Sequence, residues 1–220
     1  MALIIEGGLE LPLPRMIPVR QKFDDAQLSD IPGEIEKLFR HDGQMVRIRA
    51  GSRIAVAVGS RGIHAIDRIT LAVIRELALL GASPFIVPSM GSHGGATAEG
   101  QRKVLADFGI TEATMGVPVV SSMETVQVGS LEDGTPVWLD REAMAADGIV
   151  VINRIKPHTA FVGEYESGLL KMVAIGLGKH RGAAAFHAAG MDRFGDLLPA
   201  LGRVVLKQAP ILFGLAVIEN

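Results

Sequence analysis

Short, almost wholly apolar runs separated by helix-patterned stretches constrain this chain more than any other feature. Arg53–Val58 (RIAVAV), Pro84–Val87 (PFIV), Gly148–Asn153 (GIVVIN) and Ile211–Ile218 (ILFGLAVI) read as short strands. Between them, Asp67–Leu80 (DRITLAVIRELALL) has strong 3.6-residue periodicity and stops at Gly81. Thr97 can cap a helix that runs to about Phe108 and ends at Gly109. Strands without a polar face need cover on both sides, and helices alternating with them supply it. The pattern predicts an α/β fold with a mainly parallel, Rossmann-like sheet flanked by helices.

The remaining segments fill in that frame. Asp30–Arg40 carries Pro32 early in a helix with Ile35, Leu38 and Phe39 on one side. A strand is expected at Val117–Ser121. Val126–Leu131 and Thr135–Leu139 flank Glu132-Asp133-Gly134, a turn signal for an inserted β-hairpin. Helices are expected over Arg141–Ala146, Ser167–Leu177, part of Arg181–Ala189, and Phe194–Gln208. Residues 1–22 read as an extended arm rich in Leu, Pro and Ile. The last strand runs almost to Asn220, which suggests the first domain of a two-domain protein.

With 48% hydrophobic residues, the 220-residue chain can build a large core without staples. It has no cysteine, so neither a disulfide framework nor a thiolate metal site is available. A net charge of −2 offers no basic surface for nucleic acid or for a membrane. No apolar run is long enough to cross a bilayer, and the N-terminus lacks a signal-peptide pattern. A cytoplasmic protein is the expectation.

Ligands of open α/β sheets bind at the carboxyl ends of strands. Three polar, glycine-rich loops leave such ends here: Gly59-Ser60-Arg61-Gly62, Ser89–Gly95 (SMGSHGG) and Asn153–Gly163. They carry Arg61, suited to a carboxylate through its forked guanidinium, and His93 and His158, which titrate near neutrality. Of the other histidines, His41 and His64 read as exposed or structural. Lys171 is set among Leu169, Leu170, Met172, Val173 and Ile175, where an ammonium ion is expensive to bury unless its nitrogen is tied up in a neutral linkage. Beyond it, Gly182–Ala185 reads as a close helix-packing stripe, and His187 follows as a single possible metal donor. No HExxH motif, no GxGxxG fingerprint and no P-loop occurs.

Taken together, Arg61, His93, His158, Lys171 and His187 resemble, in order and in the Lys171-to-His187 separation, the N-terminal domain of the nickel-dependent lactate racemase family. The resemblance spans most of the chain from Arg53 onward. It implies a nickel-pincer nucleotide tethered to Lys171 through a thioamide, with His187 as metal ligand. It implies His93 and His158 as the paired catalytic bases and Arg61 as the holder of a 2-hydroxy acid carboxylate. The implied reaction is racemisation by transient hydride transfer, and the implied partners are the pincer-synthesis enzymes. VAVGSRGI replaces the family's Asp-x-Thr-Arg-Pro type segment, and Gly94-Gly95 follow His93 in place of Arg-Pro. The loop before Lys171 is longer, and ESGLLK replaces a glycine pair. These differences mark a divergent member with a 2-hydroxy acid other than lactate.

Two other readings stay open on the residues alone. Lys171 could form a Schiff base with keto acids. Alternatively, SMGSHGG could cradle a phosphate in a non-catalytic nucleotide-binding domain.

Overall fold

A computed structural model describes residues 15–24, 26–41, 48–60, 62–158 and 161–219. Arg61 and the first fourteen residues of the expected arm lie outside that set. Residues 15–24 are exposed and carry no helix or strand. The strands are β1 (Arg53–Val58), β2 (Ser83–Pro88), β3 (Thr125–Ser130), β4 (Pro136–Asp140), β5 (Gly148–Ile155) and β6 (Ile211–Ile218). The α-helices are α1 (Ile31–His41), α2 (Ile66–Leu79), α3 (Ala98–Asp107), α4 (Glu112–Met115), α5 (Arg141–Met144), α6 (Gly168–Lys171), α7 (Lys179–Ala188) and α8 (Phe194–Gln208).

Strands β2, β1, β5 and β6 form one sheet in that order, with parallel pairing throughout. The period-2 alternation of a strand divides its side chains between two layers. Ile54, Val56, Ile86, Val150 and Ile152 join one buried cluster with residues of α1, α2 and α3. Ala55, Ala57, Phe85, Ile149 and Val151 join a second with residues of α7, α8 and the β3–β4 hairpin. Both faces are covered, as the doubly apolar strands require, and each fully buried Val, Ile or Leu contributes about 1.5–3 kcal/mol. β6 closes one edge with alternately exposed residues.

The hairpin forms antiparallel across the Asp133-Gly134 turn, with a register shift between Gln127 and Gly129. The expected strand at Val117–Ser121 is a correction. It contributes a single parallel bridge, Val119 to Ile86, beside the hydrogen bonds Ile86 N–H to Pro118 O and Val120 N–H to Ile86 O. Pro118 has no N–H to extend a ladder, and α4 takes up the preceding residues. The helix expected over Ser167–Leu177 is one α-turn that widens into a π-helical turn at Met172–Gly176. Its wider spacing is set by the bond from Leu177 N–H to Met172 O, at 2.9 Å. No helix among the described residues is long and apolar enough to cross a membrane.

β1 leads through α2 to β2 on one side, whereas β5 lies on the other. The carboxyl ends of β1 and β5 therefore mark the switch point of the sheet, where loops diverge and a ligand can enter.

Candidate functional site

Close-range contacts stitch the three loops expected at that point. Ser89 N–H donates to Val58 O at 2.8 Å, joining the ends of β2 and β1. Gly91 N–H donates to Gly176 O at 3.1 Å, fastening the second loop to the π-turn. Asn153 Nδ2 donates to Gly168 O at 2.8 Å, and Arg154 donates to Gly62 O at 2.9 Å. Gly59 lies so near the π-turn that a methyl group there would come within 3.0 Å of Met172 Cε.

His93 sits at the start of a single 3₁₀ turn, Gly94–Ala96. Gly94 has φ +64°, and a Cβ on it would fall 2.6 Å from the Gly100 carbonyl carbon, so only glycine fits. The His93 Nδ1 is 2.6 Å from Ser60 Oγ. That bond places His93 beside the loop that carries Arg61 in sequence; Arg61 itself is not among the described residues.

The other three candidates meet around two phenylalanines. The His158 ring lies 4.4 Å from that of Phe161, and Lys171 Nζ lies 5.8 Å from the same ring centre. Phe161 meets Phe194 edge-on at 5.7 Å, and Phe194 meets His187 edge-on at 5.5 Å. The loop between His158 and Lys171 is closed on itself. Glu166 accepts from His158 N–H at 2.7 Å and from Gly163 N–H at 3.2 Å. Ser167 Oγ accepts from Lys156 N–H at 2.7 Å and donates to Lys156 O. These two residues, which explain how the longer loop is held, carried no recognisable sequence signal.

Titration follows from this packing. Burial, followed by the neighbouring Lys171 charge, holds the His158 pKa below 6.5. Burial, with a smaller contribution from Lys156, lowers the Lys171 amine below its usual 10.5. Among the described residues neither lysine has an ion-pair partner. Glu166 is held below the usual carboxylate range by the two backbone N–H groups it accepts.

Lys171 is half-buried rather than sealed. The sealed lysine is Lys179, fully buried 3.1 Å from the equally buried Asp140. The expected cost of an ammonium ion at Lys171 holds in part: the residue is half-buried, desolvation lowers its pKa, and its Nζ lies beside the Phe161 ring.

The donor set suits an amine-tethered group with a metal. Lys171 offers an amine partly withdrawn from water. His187 Nδ1 lies 2.6 Å from the Ala183 carbonyl, to which it can only donate, so Nε2 keeps its lone pair for a metal. Among the described residues no three His, Asp or Glu side chains converge as a metal cage. A metal at His187 would therefore take its other ligands from the tethered group.

Residues 34–194 match the family described as lactate racemase N-terminal domain. Among solved structures, the chain is similar to the lactate racemase apoprotein from Thermoanaerobacterium thermosaccharolyticum, with 17% identity and a TM-score of 0.59. That likeness, one of fold, covers 86% of this chain and 49% of the other, so the chain spans about half of that protein's length. No curated protein matches.

Proposed function

The chain belongs to the lactate racemase N-terminal domain family, and on that premise we propose that it is the cofactor-bearing domain of a two-domain racemase or epimerase acting on a 2-hydroxy acid. The observation that carries the proposal is the grouping of His158, Lys171 and His187 around Phe161 and Phe194. In this reading Lys171 tethers a nickel-pincer nucleotide, and His187 gives its Nε2 lone pair to the metal. When bound, that group supplies the hydride acceptor.

The chain's own residues bind, orient and move a proton. His158, with its pKa held below 6.5, is neutral at neutral pH and can take the proton of the substrate C2 hydroxyl. His93, bonded to Ser60, serves the opposite face, so each enantiomer meets one base. Arg61 holds the substrate carboxylate through its fork. In a turnover that starts at His158, the product oxygen takes its proton from His93 in the imidazolium form, and the reverse turnover exchanges the two roles. Phe161 and Phe194 exclude water from the amine and the metal-binding nitrogen.

Co-expression with the pincer-synthesis enzymes, followed by intact mass and nickel analysis, tests this reading. The expected result is one adduct on Lys171 and bound nickel, both lost in Lys171→Ala. An unmodified Lys171 under those conditions would overturn it. The lowered amine pKa also favours a second reading, a Schiff base between Lys171 and a keto acid. Borohydride trapping with a panel of keto acids would leave a stable adduct on Lys171 only if that reading holds.

A further inference from the structure

No step above uses Lys179, yet it is 0% exposed, a rare state for lysine unless protein groups replace its water. Its Nζ donates to the carbonyl of Pro88, the last residue of β2. It also lies 3.3 Å from Gln101 Oε1 and 3.1 Å from Asp140 Oδ2. Asp140, at the end of β4, accepts from Ala143 N–H at 2.8 Å through its other oxygen, and its own N–H donates to Leu177 O at 2.7 Å.

Gln101 is buried as completely and faces two ways. One end accepts from Lys179, and at the other end Nε2 donates to Gly91 O at 2.8 Å and to His93 O at 3.3 Å. A continuous polar path therefore runs from the sealed lysine, through one amide, to the backbone on which His93 turns. Lys179 itself opens α7, the helix that carries His187, shortly after the π-turn that follows Lys171. Its φ is +54°, a conformation that a lysine keeps only when its surroundings impose it.

A buried ion pair seldom outperforms apolar residues of the same volume in stability. An apolar replacement, however, cannot hold the carbonyls of Pro88, Gly91 and His93 in fixed directions. We propose that Lys179 and Gln101 are positioning residues for His93: the buried lysine orients the Gln101 amide, and the amide orients the loop. Lys179 is fully buried and does not touch substrate. The role assigned to His93 rests on the racemase reading, but the claim about what holds its loop does not.

Hydrogen exchange separates the two. In Gln101→Leu, which keeps the ion pair, amide exchange over residues 90–95 should rise about tenfold or more while β1 and β5 stay unchanged. The His93 ring resonances should shift in the same variant as the Ser60 contact loosens. Lys179→Met with Asp140→Asn removes both charges together and should loosen the same segment. Exchange over 90–95 within about twofold of wild type, in either folded variant, would overturn the proposal. With cofactor-loaded protein, Gln101→Leu should lower kcat and shift the His93 limb of the pH–rate profile, leaving nickel content unchanged. A wild-type protein without racemase activity would sink the functional reading alone, since the exchange data still decide this one.

Discussion

Lys179→Met should destabilise the protein out of proportion to the atoms removed. Methionine keeps most of the lysine stem, so little cavity opens, and the cost lies in what is left behind. Asp140 remains fully buried, with Oδ1 satisfied by Ala143 N–H and Oδ2 stripped of its Lys179 partner. Breaking a buried pair from one side costs about 3–5 kcal/mol, a large share of a typical total of about 5–15. Adding Asp140→Asn removes the orphaned charge and keeps the cap on α5, so the double variant should recover about 2 kcal/mol or more. Urea unfolding followed by Trp138, the single tryptophan, which lies on β4 near Asp140, measures both. The pH dependence is a second check. Burial already raises the Asp140 pKa, and the Lys179 charge is the main influence opposing it. Without Lys179 the folded-state pKa rises further above the unfolded value. The folded state then holds a proton that the unfolded state releases, and the defect shrinks as pH falls toward the unfolded pKa. A loss below about 1 kcal/mol, or single and double variants equal at both pH 7.5 and pH 5, would refute the reasoning.

Further outcomes follow from the cleft. Lys156→Met should raise the Lys171 pKa only partly, because burial is the larger cause; the pH profile of Lys171 acylation by mass spectrometry should shift modestly upward. Lys171→Met should bring the His158 midpoint up toward 6.5 by removing the second of its depressing influences, as read by histidine NMR. Because the folded-state His158 pKa is depressed, its contribution to stability is lost as pH falls below about 6.5, and Lys171→Met should flatten that acid limb. Gly100→Ala would place a Cβ 1.8 Å from Gly94 O, and should lower the unfolding free energy by about 3 kcal/mol while disordering the turn after His93. An unchanged Tm would count against that packing.

The alternation of apolar runs and helices was enough to read the α/β class, because doubly buried strands and amphipathic helices are properties of local sequence. The strand order was not readable. The β1–β5 and β5–β6 pairings join segments far apart in the chain, and nothing in RIAVAV or GIVVIN names its neighbour. The π-turn was also hidden, since MVAIG suits a helix of either width, and the packing of Gly176, where a Cβ would lie 2.7 Å from Ser89 O, involves a distant segment. In the site, glycine-rich strand ends pointed to His93 and His158. Ser60, which meets the His93 ring, and Glu166 and Gln101, which hold nearby backbone, are ordinary polar residues with no pattern of their own.

The two lysines show what local composition leaves out. Lys171 and Lys179 stand eight residues apart, the first in an apolar run and the second in GLGKHRG. Local composition assigns the dry environment to the first, yet the second is sealed. Composition reports neighbours along the chain, whereas desolvation depends on neighbours in space. For Lys179 these are Pro88, Gln101 and Asp140, drawn from three other segments. Chemistry sorts the pair the same way. Lys179 is sealed among Pro88, Gln101 and a carboxylate at 3.1 Å, and although burial lowers its pKa against the opposing Asp140 charge, no acyl donor can reach it. Lys171 has no ion-pair partner among the described residues, is only half-buried beside Phe161 and has a lowered pKa, which supports the proposal that it is the amine to be acylated.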